Sequence, residues 1–460
     1  MGNNDCVEYI HTIVLSLTSN LIRMKKQSFY NTWVDNILYN TLSNGLIQFQ
    51  QNEIDDIKDF LENPDNYQEN NTELLAHFER LGFICDASYD EMDHILFQNK
   101  MHTLHNKDGH LTINPTLECN YKCWYCIVED QHTKYEHRRM DDGTIKKIKK
   151  HINYLINNDK INTLHIDWFG GEPLMYFKEV IYPISKYGLN CCTEHNIPFS
   201  NHVTTNAYYI NSSMIKDFNK IKMSSFQIPI DGSEKKHNSV KNMNGKGHFK
   251  QIMESINALC ENIVNCYIIL RINYDKQTLQ TILPIIDNIK SENRSKIVVD
   301  FQRVWQIPLT TDESGNNQIL LDIKKKFEQE GFQTIYFAYS PKSYRCCYAD
   351  NFYHRVINYD GKVYKCSACD YGESWIIGDI NSKGEMKFKP IINTMFSDAT
   401  FKNDKCLNCK KLPLCYGPCI QKYYETKIGK NTFHCLHEFS EISFEEYVKF
   451  LAQKRLSSIN

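Results

Sequence analysis

Cys119, Cys123 and Cys126 lie in the stretch LECNYKCWYC (117–126) at the spacing C-x3-C-x2-C. Three thiols so close are too many for one disulfide and one short of a structural zinc site. A cubane 4Fe-4S cluster takes one thiolate per iron. Three cysteines from a single loop would therefore leave its fourth iron open to a small molecule. A zinc knuckle, or a loop that is merely kept reduced, is the competing reading. A second group follows 220 residues later: Cys346, Cys347, Cys366, Cys369, Cys406, Cys409, Cys415, Cys419 and Cys435. Zinc ribbons also use C-x2-C pairs, but nine cysteines in one segment favour clusters. The other six (Cys6, Cys85, Cys191, Cys192, Cys260 and Cys266) are scattered and read as buried small hydrophobes.

Other residues with chemical potential sit at strand ends. FGGEP (169–173) offers Gly170 and Gly171 for close backbone approach and Glu172 as an acceptor for an ammonium, with Pro173 ending the strand. Thr204, Thr205 and Asn206 in TTN, Asp231 and Gly232 in PIDG, and Arg271 and Asn273 in LRINYD are polar groups at comparable positions.

The elements that must hold these residues form three segments. Residues 1–105 read as a small α/β module. FYNTWVDNILYNTLSNGLIQF gives strands broken by a turn at Ser43–Gly45, and two helical patterns and the strand FICDAS follow. This order is consistent with a winged helix. The IVLSL run near the start reads as part of a buried helix. Residues 106–310 alternate strands with helices. LTINPT, TLHIDWF, FSNHVTTN, SSFQIPID, CYIILRINYD and IVVDFQRVWQ are six strand candidates, which predicts an α/β fold with a parallel, partial (βα)6 TIM-like barrel. Chemistry in such folds sits at the C-terminal ends of the strands, and the three-cysteine loop follows the first of them. Residues 311–460 are cysteine-rich, with short strands and turns, and predict a module that depends on metal to fold.

Composition excludes several classes. The net charge of −2 gives no reason to expect nucleic acid or an anionic membrane as partner. No apolar run approaches a membrane span, and the first twenty residues lack a signal-peptide pattern. The default expectation is a cytoplasmic protein, where eighteen cysteines point to metal rather than disulfides.

Cys119-x3-Cys123-x2-Cys126 after a first barrel strand resembles the signature of the radical S-adenosylmethionine (SAM) enzymes. The resemblance implies that SAM chelates the open iron and is cleaved reductively to a 5′-deoxyadenosyl radical. By the same likeness Tyr125 lies near the adenine and Gly170, Gly171, Glu172 and Pro173 form the motif that holds SAM's amino group. Thr205, Asn206, Asp231 and Arg271 would contact its ribose and carboxylate. The family often has His-Asp and Arg after its Asp-Gly, whereas this chain has His237-Asn238 and Lys241. The second cysteine group is similar to the SPASM extension, which binds two auxiliary 4Fe-4S clusters, so three clusters are expected in all. Cys406, Cys409, Cys415 and Cys435 would ligate the outer one. Cys347, Cys366 and Cys419 would ligate the inner one, with Cys369 or the competitor Cys346 completing it. Ser367 stands where sulfatase-maturing relatives carry an acidic residue. The first hundred residues resemble the leader-recognition element of maturases of ribosomally made peptides. The combination implies an oxidoreductase that installs a thioether, C–C or C–O crosslink in a precursor peptide, served by a flavodoxin- or ferredoxin-type reductant. Epimerisation or side-chain oxidation is the enzymatic alternative, and an iron–sulfur electron carrier the non-enzymatic one.

Overall fold

The computed structural model describes residues 24–67, 72–128, 138–304, 306–307, 314–335, 347–369, 371–397, 403–429, 435 and 443–457. Cys6, the IVLSL run and Cys346 lie outside them.

The N-terminal module begins with β1 (Lys25–Gln27), β2 (Asn31–Val34), β3 (Ile37–Asn40) and β4 (Leu46–Gln48), then helices Ile54–Glu62 and Thr72–Arg80, β5 (Ile84–Asp86) and helix Glu91–Lys100. β2, β3 and β4 form an antiparallel sheet in that order, and β1 pairs with β5. One face of the sheet packs Leu38 against Phe60, Leu61, Phe78 and Phe83. The other packs Val34, Ile37 and Tyr39 against Phe444, Tyr447, Val448 and Ala452 of the C-terminal helix Phe444–Ser457.

The six predicted strands are all present: β6 (Asp108–Ile113), β7 (Thr163–Trp168), β8 (Phe199–Thr204), β9 (Met223–Ile230) and, after the hairpin β10 (Asn242–Met243) and β11 (Lys246–Gly247), β12 (Tyr267–Tyr274) and β13 (Ile297–Arg303). Each is parallel to its neighbour. Period-two alternation places them. Leu164, Ile166 and Trp168 of β7 are buried under the helices, while Thr163, His165 and Asp167 point to the other side. The same alternation in β12 buries Ile268, Leu270 and Ile272 and turns Arg271 and Asn273 inward. Interiors of closed eight-stranded barrels are packed with branched apolar side chains; here the inward positions are largely polar.

The sheet continues beyond these six. β14 (Gln333–Thr334) pairs with β13, and β15 (His354–Ile357) runs parallel to β6 on the opposite edge. β16 (Lys362–Tyr364), β17 (Gly378–Ile380) and β18 (Met386–Phe388) add antiparallel strands, giving eleven in one sheet. The cysteine-rich segment thus shares the barrel's core: Val356, Ile357, Val363, Trp375, Ile377 and Ile420 belong to the same apolar cluster as Leu111 and Ile166. No helix among the described residues is long and apolar enough to cross a membrane.

Candidate functional site

The three-cysteine loop leaves the C-terminal end of β6 and is clamped by the turn that leaves β7. Gly171 N–H donates to Thr116 O at 3.1 Å and Glu172 N–H to Glu118 O at 2.8 Å. A Cβ on Gly171 would stand 1.9 Å from Glu118 O, and one on Gly170, at φ +114°, 2.3 Å from Thr116 O. The glycines therefore serve a close approach to the cysteine loop's own backbone.

Glu172 is buried, and its carboxylate accepts from Leu174 N–H at 3.0 Å, Thr205 Oγ1 at 2.7 Å and Asn206 N–H at 2.8 Å. Burial outweighs these three donors and pushes its pKa up to about 7. Asn206 Nδ2 donates to Asn120 Oδ1 at 2.7 Å and lies 3.9 Å from Cys119 Sγ. Strand ends β6, β7 and β8 are thereby tied into one unit around Cys119. Pro173 opens the short 3-10 helix Pro173–Tyr176 that Glu172 caps.

Tyr125 and the later strand ends form a second network. Lys241 is ion-paired with Asp231, their side chains 4% and 3% exposed. The Tyr125 hydroxyl donates to Asp231 and receives bonds from Lys241 Nζ at 2.7 Å and Asn273 Nδ2 at 3.1 Å. Arg271 Nε reaches Asn273 Oδ1 at 3.2 Å. Burial opposes the charge on Lys241, but Asp231 holds its pKa well above the usual range. Burial and then Lys241 push His237 down to about 3, so its ring is neutral. Where the family pattern is altered to His237-Asn238 and Lys241, the chain places a buried Lys241–Asp231 ion pair.

The second cysteine group falls into two neighbourhoods. Cys347, Cys366 and Cys419 are electrostatic neighbours, and Cys406, Cys409, Cys415 and Cys435 form another set. Cys369 is buried beside Tyr371, which also feels Cys366.

The donor chemistry suits iron–sulfur clusters. Backbone N–H groups two residues on point at sulfur: Tyr121 to Cys119 at 3.4 Å, Val128 to Cys126 at 3.4 Å, Ala368 to Cys366 at 3.3 Å, Lys411 to Cys409 at 3.4 Å and Gly417 to Cys415 at 3.4 Å. Such donors favour thiolate and tune clusters. Burial pushes the thiols of Cys123 and Cys366 up to about 11 and that of Cys415 up to about 12, so a bound cation must supply the charge that makes them thiolates. Among the described residues no three cysteine sulfurs lie within 4.8 Å of one another. A single tetrahedral zinc with Zn–S near 2.3 Å would draw them to about 3.8 Å.

Sequence reading missed the polar lining of the barrel. His110, His165, Asp167, Ser200, His202 and Ser225 face inward below the cysteine loop. The signal that could have found them is the alternation itself, His165-x-Asp167 on one strand with His110 on the strand before.

Residues 113–289 match the family model described as the radical SAM superfamily. No curated protein matches the chain by sequence. Among solved structures the chain is similar to native anSMEcpe with bound AdoMet and Cp18Cys peptide, at 16% identity and TM-score 0.54, covering 76% of this chain and 98% of that one. It is also similar to a histidine-tagged form of anSMEcpe with bound AdoMet, at 17% identity and TM-score 0.56, covering 76% and 94%. The third is Streptococcus suis SuiB bound to precursor peptide SuiA, at 19% identity and TM-score 0.51, covering 88% and 97%. At these identities the likeness establishes the fold.

Proposed function

We propose that the chain is a radical SAM peptide maturase that installs an oxidative thioether, C–C or C–O crosslink in a ribosomally made precursor. One observation carries the reading: a three-cysteine loop with one ligand position to spare is tied to Glu172, Thr205 and Asn206 at the mouth of a polar-lined parallel barrel. Cys119, Cys123 and Cys126 would hold the SAM cluster, which when bound supplies the electron that splits SAM to a 5′-deoxyadenosyl radical. Glu172, a buried carboxylate with only protein dipoles around it, gains from an ammonium placed beside it. Gly170, Gly171 and Pro173 fix that carboxylate against the cysteine loop. Asp231, locked by Lys241, orients the Tyr125 ring at the rim, and Asn273 and Arg271 extend the same wall.

Cys406, Cys409, Cys415 and Cys435 would hold the outer auxiliary cluster, and Cys347, Cys366, Cys369 and Cys419 the inner one. Forming a crosslink from a substrate radical releases one electron, which clusters held by these cysteines would accept. A flavodoxin- or ferredoxin-type protein in the cytoplasm would supply the reducing electron. The leader peptide adds as a strand to β4. Phe49 N–H donates to Asn36 O and Gly45 O accepts from Asn40 N–H, so by alternation the backbone groups of Leu46 and Gln48 face the free edge. The peptides bound to anSMEcpe and SuiB support a peptide substrate.

The test is anaerobic reconstitution with SAM and dithionite, reading 5′-deoxyadenosine, followed by mass spectrometry of a co-expressed precursor encoded beside the gene. The reading requires 5′-deoxyadenosine and a two-hydrogen mass loss in the peptide. An unchanged mass with a D-residue would make the enzyme an epimerase, and no 5′-deoxyadenosine would make it an electron carrier.

A further inference from the structure

His110, His165 and Asp167 converge inside the barrel, where the His110 ring also lies 6.1 Å from that of Tyr348, the neighbour of Cys347. His110 on β6 and His165 on β7 are partners in the parallel register, and Asp167 is two residues on, on the same face. His110 Nε2 lies 2.7 Å from Asp167 Oδ2, and His165 Nε2 lies 2.6 Å from Asp167 Oδ1. The three donor atoms all fall within 4.8 Å of one another. The imidazole rings meet edge to face at 4.6 Å. The side chains are 19%, 34% and 23% exposed, so the cluster opens to the lumen rather than to packed core. His165 Nδ1 is bonded to Ser200 Oγ.

From this juxtaposition we infer that His110, His165 and Asp167 form a binding site for a divalent transition-metal ion of the zinc, cobalt or ferrous class. Two imidazole nitrogens and one carboxylate are the donor set that such borderline ions prefer. They occupy one side of the ion and leave its other positions facing the lumen, where a donor side chain of a substrate can complete them. His165 has the outer-shell pattern found around metal-bound histidines, its non-ligating Nδ1 being held by the Ser200 hydroxyl. In the metal-free chain the two Nε2–H groups donate to the carboxylate. On binding, each Nε2 gives its lone pair to the ion and its ring carries hydrogen on Nδ1, where Ser200 Oγ accepts from His165. His202, hydrogen-bonded through Nδ1 to Ser225 Oγ at 2.8 Å, lies on the same wall outside this set.

The test uses the full chain with its cysteines loaded with oxidised clusters, titrated anaerobically with Co2+ and followed by equilibrium dialysis and low-temperature EPR. The wild type should take up one Co2+ that Zn2+ displaces. His110→Ala and the isosteric Asp167→Asn should bind it at least a hundredfold more weakly, and Ser200→Ala about tenfold. His202→Gln should bind as the wild type does, with iron content unchanged throughout. If His110→Ala loses its iron, Asp167→Asn decides. No Co2+ taken up by the wild type, or equal uptake in Asp167→Asn, would overturn the site and reduce the cluster to a hydrogen-bonded array. Because the readout is metal stoichiometry, the result is separate from whether the chain cleaves SAM.

Discussion

Asp231 and Lys241 are sealed in the barrel mouth, and a buried ion pair is strong evidence only of what happens when half of it is removed. Lys241→Ala leaves a buried carboxylate with a hydroxyl partner and should cost about 3–5 kcal/mol, read as a fall in Tm. Lys241→Met combined with Asp231→Asn removes both charges and should recover most of that loss. Glu172 makes a different prediction. Its folded pKa of about 7 exceeds the ordinary 4.5, so ionising it costs the cluster-free fold up to about 3 kcal/mol above pH 7. That cost fades as pH falls from 7 towards 4.5, because the folded state takes up the proton first. Denaturant melts of the cluster-free wild type and Glu172→Gln should therefore converge by this amount between pH 8 and pH 5. A constant gap would mean the carboxylate is not desolvated. The cysteines and the Gly-Gly-Glu turn were legible because their chemistry demands those types at those intervals. What the turn's glycines touch was not, since their neighbour is a backbone carbonyl about fifty residues away.

At the scale of elements, β4 is, among the described residues, an unpaired edge of a sheet whose two faces are already covered. A proline at Gln48 removes an outward N–H without touching the β3 ladder. Gln48→Pro should weaken leader-peptide affinity at least tenfold in fluorescence anisotropy and leave 5′-deoxyadenosine formation unchanged. Unaltered affinity would move the recognition surface elsewhere. Phe444 packs on Tyr39 with ring centroids 6.1 Å apart, so Phe444→Ala should destabilise the N-terminal sheet by about 3–5 kcal/mol, seen as early loss of amide protection in hydrogen exchange. The barrel strands could be read from sequence because each runs six to eight residues, several with clear period-two alternation as in β7 and β12. β15 to β18 are only three or four residues long, too short for a periodic signal. Their docking on β6 joins His354 to His110 across more than two hundred residues of chain, a pairing local pattern does not encode.

At the scale of the whole molecule, one sheet links the cysteine loop after β6, the polar lumen and the segment that carries the C-terminal cysteines, so the three proposed clusters and the lumen metal site would share a single scaffold. The most direct measurement is iron and acid-labile sulfide per chain together with 5′-deoxyadenosine, in the wild type and in the triple variant with Cys119, Cys123 and Cys126 all changed to Ala. At four irons per cubane the wild type should hold about twelve irons and cleave SAM, while the triple variant should keep about eight and yield no 5′-deoxyadenosine. Zinc in place of iron, or SAM cleavage surviving in the triple variant, would contradict the account.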